Sequence, residues 1–403
     1  MLGGANYWSA HPIRQCLTHL TRYGYKIRRF LGTMLLLKSV LCSIVLYCVG
    51  VEGIGNQYYR RDPKFLFLFP FYRVLPGLPC TTNDNLDGIC LSQRQCNARA
   101  GVCAGNCGYK GVCCVFKRTC GEKTNANNTY FFSPNYSAAF NGGKRCSFTI
   151  EKMNSGVCQI RIDFLEFSIS EPDPKTGSCE NDKLSLGIPN NPVICGENGG
   201  HHVYLDFPAG SNGHTISVST VNAVSLSRRW NLKISQIACN SSERAPPGCL
   251  KYFTADKGSD RSFNFSPLST ASGTGNRVIS GMNYGVCVRR APGFCSITWS
   301  RSSANAFTFT MSGASNPTDT TGAGGTGLSG STNCKSNFII IPNSKPSQDG
   351  AAEDRYCGNN LSPVTTSSGP FVMTVVTSYD ENNSNNRGFL LEYSQNACVD
   401  GDK

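Results

Sequence analysis

Apolar and polar side chains alternate along much of the chain beyond residue 115. IRIDFLEFSI (160–169) and KLSLGI (183–188) have the period of a half-buried strand. Gly, Pro, Asn and Ser separate such runs, and every predicted strand is short. This pattern argues for an all-β fold of antiparallel sandwiches rather than a βαβ protein. The only long apolar run is FLGTMLLLKSVLCSIVLYCVG (30–50), interrupted by Lys38. If translation starts at Met34, the run reads as a secretory signal with small residues at Gly50 or Gly53 for cleavage. If Met1 is the start, it is long enough for a signal anchor, with Arg22, Lys26, Arg28 and Arg29 on the cytosolic side. Both readings put the C-terminal bulk outside the cytosol.

The pattern divides the chain into a basic N-terminus with signal or anchor (1–53), a linker (54–79), a small cysteine-rich module (80–114) and two larger regions (115–240 and 246–399). Within the linker, KFLFLFPFYRVL is too short to span a bilayer and reads as an edge strand or tether. The module cannot build a core by apolar burial, so cross-links must limit the entropy of its unfolded chain. From Pro246 the order of motifs in the first large region recurs. GFCSITW stands where RCSFTI stood, CKSNFIII where CENDKLSL stood, and YCG where ICG stood. SGASNPTDTTGAGGTGLSGST reads as a surface loop with little to bury.

Composition sharpens this picture. Twenty-two cysteines are far too many for a reduced cytosolic protein. Six sequons, at Asn127, Asn135, Asn240, Asn264, Asn360 and Asn382, agree with a secreted glycoprotein. The net charge of +12 is concentrated in part in the first 33 residues and is otherwise mixed with acids. No phosphate-tracking stripe results, so nucleic acid is not an expected partner. Setting aside Cys16, Cys42 and Cys48 leaves nineteen cysteines, an odd number, seven of them in the module. Cys103 or Cys107 is the surplus one there, and a leftover thiol makes a disulfide-linked dimer one expectation.

CG…SPNYS…CSFTI, QIRIDFLEFSI, CENDKLSL and ICG together resemble a CUB domain, a jelly-roll sandwich of extracellular proteins. The six cysteines and the preceding module resemble the arthropod-type CUB proteins, in which a short clip-like module comes first. The resemblance implies bridges Cys120–Cys146, Cys179–Cys195 and Cys158–Cys239. In the second region it implies Cys249–Cys295 and Cys334–Cys357, leaving Cys287 with Cys398. Many CUB domains also hold calcium between loops, because hard Ca²⁺ needs several converging oxygens. Glu171 and Asp182 match two ligand positions, while Asn222 stands where an Asp is expected. The implied site is therefore weak or absent, and no other cofactor is implied. In the second region Asp380 fits but Asn337 replaces the middle Asp, so no site is expected.

No catalytic residues are expected. Nucleophile turns, zinc-protease motifs and phosphate loops are all missing from the sequence. His201 and His202 are adjacent, so on a strand they point to opposite faces and cannot chelate together. His214 alone reads as structural. The resemblance implies a non-catalytic protein binding extracellular proteins or glycans through sandwich loops around Glu171–Asp182, Asn222–Arg229 and Tyr379–Arg387. A matrix or cuticle-associated component, or a cofactor in a protease cascade, is the alternative. The membrane would enter only through the N-terminal anchor.

Overall fold

A Ser92-capped turn of helix is the only α-helix among the described residues, because nearly every other segment follows a two-residue period. The computed structural model describes residues 77–399 apart from 109–110, 189–191, 223–226, 267–276, 305–307, 313–326, 347–350 and 379–385. The signal, anchor and linker features read in residues 1–76, the sequon at Asn382 and Asp380 lie outside the described residues. No helix among the described residues is long and apolar enough to cross a membrane.

The module comprises β1 (Pro79–Thr81), β2 (Asp87–Leu91), α1 (Gln93–Ala98), β3 (Val102–Cys107) and β4 (Gly111–Arg118). Three bridges staple it, Cys80–Cys113, Cys90–Cys107 and Cys96–Cys114, and Cys103 has no disulfide. Of the two cysteines left open by the sequence, Cys103 is thus the surplus one. The first sandwich contains β5 (Lys123–Thr124), β6 (Thr129–Phe132), β7 (Arg145–Glu151), β8 (Val157–Ser168), β9 (Lys183–Ser185), β10 (Val193–Ile194), β11 (His202–Asp206), β12 (Gly213–Ser219) and β13 (Arg229–Ala238). Its two sheets run β4-β6-β13-β8-β11 and β10-β9-β12-β7-β5. The boundary expected at 114/115 falls inside β4, which leaves the module and pairs in parallel with β6. Module and sandwich therefore share one sheet.

Alternation fills the core of this sandwich. Cys146, Phe148 and Ile150 of β7 face Ile160, Ile162 and Phe164 of β8, all essentially inaccessible. The inward phase of β8 then slips by one, from Phe164 to Phe167. A β-bulge opposite Asn231 and Leu232 absorbs the extra residue and turns Leu165 outward, 49% exposed.

The second sandwich contains β14 (Cys249–Phe253), β15 (Lys257–Arg261), β16 (Asn283–Val288), β17 (Phe294–Arg301), β18 (Phe309–Thr310), β19 (Gly327–Ser329), β20 (Phe338–Pro346), β21 (Glu353–Gly358), β22 (Val364–Thr366), β23 (Phe371–Val376) and β24 (Gly388–Ala397). Its strands connect as β14-β16-β23-β20-β22-β17-β24-β15, since β20 pairs with β23 at its start and β22 at its end. Two expected bridges are overturned. Cys249 pairs with Cys287, and Cys295 with Cys398, rather than Cys249–Cys295 and Cys287–Cys398. The reason lies in register. β14 runs parallel beside β16, bringing Cys249 next to the strand that carries Cys287. β17 lies beside β24, bringing its leading Cys295 to the end where Cys398 follows. NYGVCV, not GFCSITW, is thus the counterpart of RCSFTI. The other bridges are Cys120–Cys146, Cys158–Cys239, Cys179–Cys195 and Cys334–Cys357.

Candidate functional site

The end of the first sandwich expected to hold calcium is built around Asp182, which is 1% exposed. Its Oδ2 accepts from the Ser170 amide at 2.9 Å and hydroxyl at 2.7 Å. Its Oδ1 accepts from the Val221 amide at 3.1 Å. The guanidinium of Arg228 supplies the rest, Nε to Oδ2 at 2.6 Å and Nη2 to Oδ1 at 3.1 Å. This bidentate fork is fully buried, and Arg228 also donates to the carbonyls of Asn141 and Val221. Burial alone would raise the Asp182 pKa, but the guanidinium and the Ser170 and Val221 donors hold it below the ordinary carboxylate value. Gly142, at φ 89°, makes room, since a Cβ there would lie 2.6 Å from Arg228 Nη1.

Glu171 and Asn222 do not join Asp182 in a metal site. Glu171 Oε2 accepts from Asn264 Nδ2 at 2.7 Å, across to the second sandwich. Asn222 is exposed and forms an isolated bridge with Gly142. No cluster of three metal-ligating side chains occurs among the described residues. The donor set does not fit calcium, because an internal cation already occupies both oxygens of Asp182. Sequence reasoning missed Arg228: an arginine in SLSRRW, 46 residues from its partner, reads as a solvated loop charge.

The expected binding loop 171–182 instead joins the two sandwiches. Lys175 and Gly177 carbonyls accept from Arg277 Nη2 at 3.0 Å and the Ser280 amide at 2.9 Å. Asn264, wholly buried, also accepts from the Glu197 amide at 2.9 Å and donates its own amide to Asn198 Oδ1 at 2.7 Å. A buried Asn with its polar atoms so engaged is not a folded-state glycan acceptor, so the sequon at Asn264 is corrected. Alongside, Gln159 holds Ala245 of the connecting segment by both of its amide atoms, at 3.0 and 2.8 Å. One continuous apolar core includes residues of both sandwiches.

His202, the first residue of β11, and His201 just before it both pack against the second sandwich. His202 Nε2 meets the Tyr252 carbonyl at 3.0 Å, and His201 packs against the Phe263 ring. Burial, with nearby cations, lowers the His202 pKa to about 4 and puts that of His201 well below its ordinary value. Both are neutral structural side chains at neutral pH. Near them, Lys251 Nζ donates to Asp260 Oδ1 at 2.8 Å in a fully buried pair lying over the Phe263 ring. His214 Nε2–H donates to the Leu186 carbonyl and is likewise structural.

The outer face of β11, β8 and β13 is a partly accessible polar surface of the first sandwich, in which Tyr204 is itself buried. Tyr204, Arg161 and Ser235 form one cross-strand row, and Asp163 lies opposite Lys233 in the next. Arg161 is fixed by Asp163 at 2.7 Å and by the Tyr204 hydroxyl at 3.0 Å. Lys233 reaches Asp87 of the module at 2.5 Å. These side chains, Leu165 and Glu243 line a shallow groove of about 490 Å³.

Such a geometry is that of a disulfide-stapled, all-β protein. The family model for the CUB domain matches residues 120–232, and that for the animal CUB domain matches 246–396. The chain belongs to the CUB-domain proteins, with two CUB domains in tandem. Such domains are typical of extracellular proteins, mediate protein–protein interaction and are generally non-catalytic. Among solved structures, the CUB1-EGF-CUB2 domains of rat MASP-1 are 12% identical, with a TM-score of 0.24, covering 68% of this chain and 99% of that one. The corresponding region of human MASP-1/3 is 13% identical, with a TM-score of 0.24 and coverage of 67% and 100%. The extracellular region of zebrafish Gpr126/Adgrg6 is 11% identical, with a TM-score of 0.26, and the match spans 70% of this chain and 38% of that one. No curated protein matches the chain.

Proposed function

We propose that this chain is a secreted, non-catalytic recognition protein that binds a protein partner through the outer sheet face of its first CUB domain. The bulged Leu165, set among Arg161, Asp163, Tyr204 and Lys233, carries the reading. An apolar side chain ringed by fixed charges is the composition of an interface centre with a polar rim. The face is rigid, because the module, the sandwich and its neighbour are joined by shared strands and buried hydrogen bonds. Preorganised side chains lose little freedom on binding. The arthropod-type relationship, the clip-like character of the module and glycosylation belong to the same proposal.

Leu165→Glu should weaken capture of an extracellular protein partner at least tenfold, about 1.4 kcal/mol, while leaving the folding transition in place. Asp173→Ala, in an exposed turn of the loop once expected to bind, should leave capture unchanged. Surface plasmon resonance on partner purified from extracellular fluid reads both. Equal affinity for Leu165→Glu and wild type would rule out this face. A matrix-associated role has one observation in its favour, the unpaired Cys103. That thiol is half-buried against the Cys96–Cys114 bridge, which weakens it as an intermolecular cross-link.

A further inference from the structure

The cleft between the module and the first sandwich has the features of a sugar seat. It measures about 550 Å³ and is lined by Leu86, Lys117, Glu122, Phe132, Tyr136 and Asn231, with Asn135 among the residues at its edge. The turn Ser133–Tyr136, closed by the Tyr136 amide on the Ser133 carbonyl, sets Asn135 at φ 59° just past Phe132. Phe132 and Tyr136 approach with ring centroids 4.5 Å apart, and Tyr136 stays 37% exposed. Asn231 is only 7% exposed, yet its Oδ1 has no partner among the described residues. A buried acceptor without a donor is costly, and a ligand hydroxyl or amide would satisfy it. Aromatic surface beside polar groups suits a pyranose, which has an apolar C–H face and a polar edge.

Asn135-Tyr136-Ser137 is a sequon, and its Asn is exposed. We infer that Asn135 carries an N-linked glycan whose first N-acetylhexosamine packs on the Phe132–Tyr136 pair and closes this cleft. The occupant is thus covalently part of the chain, and it braces the module against the sandwich. The inference rests on the chain being exported, as the proposed function holds, and on nothing about the partner. The other sequons among the described residues lack this setting. Asn264 is buried, Asn127 Oδ1 accepts the Gln236 amide at 2.7 Å, and neither Asn240 nor Asn360 lines the cleft.

The test uses the full chain secreted from eukaryotic cells. Glycopeptide mass spectrometry should find Asn135 occupied and Asn264 bare. Ser137→Ala removes the sequon while leaving Asn135 in its turn. It should lower the midpoint of thermal unfolding by about 2–4 °C. Phe132→Leu keeps an apolar side chain but removes the ring, and in that background Ser137→Ala should have no further effect. A bare Asn135 in secreted, oxidised protein overturns the inference and leaves the export reading intact. So does an equal Ser137→Ala loss in both backgrounds. A free mono- or disaccharide that protects the cleft of the Ser137→Ala protein would show an external glycan as the occupant and would also overturn it. Retention inside the cell with reduced cysteines overturns both inference and export.

Discussion

Arg228→Met should cost about 3–5 kcal/mol, because it leaves Asp182 buried with its charge uncompensated. In a domain of this size that lowers the midpoint of unfolding by roughly 10 °C. Guanidinium denaturation of the secreted protein measures it. The pH dependence should change in a defined direction. The native Asp182 has a depressed pKa, so its contribution is present above the unfolded carboxylate value and is lost as pH falls through the folded one. Removing Arg228 removes that protective margin, so acid unfolding between about pH 5 and 3 should become shallower. Adding Asp182→Leu to Arg228→Met should recover only part of the loss, since the Ser170 and Val221 donors then lack an acceptor. A single Arg228→Met variant as stable as wild type would mean that the fork does not hold the loop.

Lys251→Met should be of similar size, about 3–5 kcal/mol near neutral pH. The chemistry differs in one respect. Burial pushes the Asp260 carboxyl up and the Lys251 ammonium down, so the pair is expensive to keep charged. Once Lys251 is gone, Asp260 with a raised folded pKa takes up a proton more readily than in the unfolded chain. The deficit should therefore narrow as pH falls from 7 towards 5. Lys251→Met with Asp260→Leu should recover part of the stability, since the uncompensated carboxylate is removed while the Arg261 carbonyl that accepted from Lys251 Nζ is left without that donor. Denaturant unfolding at two pH values measures the cycle. A deficit in Lys251→Met that widens on acidification would contradict the assignment.

The strands were legible because burial imposes its period directly on the sequence. Phe148 and Ile150, or Ile160 and Ile162, alternate with polar residues wherever one face meets the core. The phase slip at Leu165 was also written there, but alternation alone does not say that the extra residue faces outward. The first domain's cysteines could be ordered because its motifs are strong. In the second, Cys287 and Cys295 lie eight residues apart on strands consecutive in sequence but not adjacent in the sheet. Only the pairing of β14 with β16 and of β17 with β24 tells them apart.

Sites fared differently, for a physical reason. Asp182 could be singled out, but its partner could not, since Arg228 contacts it through folding over 46 residues. The sequon at Asn264 names a triplet and says nothing about burial, and the joint between the sandwiches consumes that side chain. Glu171 is likewise taken by the joint. Long-range polar pairing therefore decided what became of the residues expected to bind a metal.

The most direct test of this arrangement is the thermal unfolding of the secreted protein in millimolar Ca²⁺ and in EDTA, with calorimetric titration of Ca²⁺ alongside. With Arg228 in place of a metal, the two midpoints should coincide and the titration should show no binding heat. A midpoint raised by calcium, with a binding isotherm that is lost in Glu171→Ala, would contradict it.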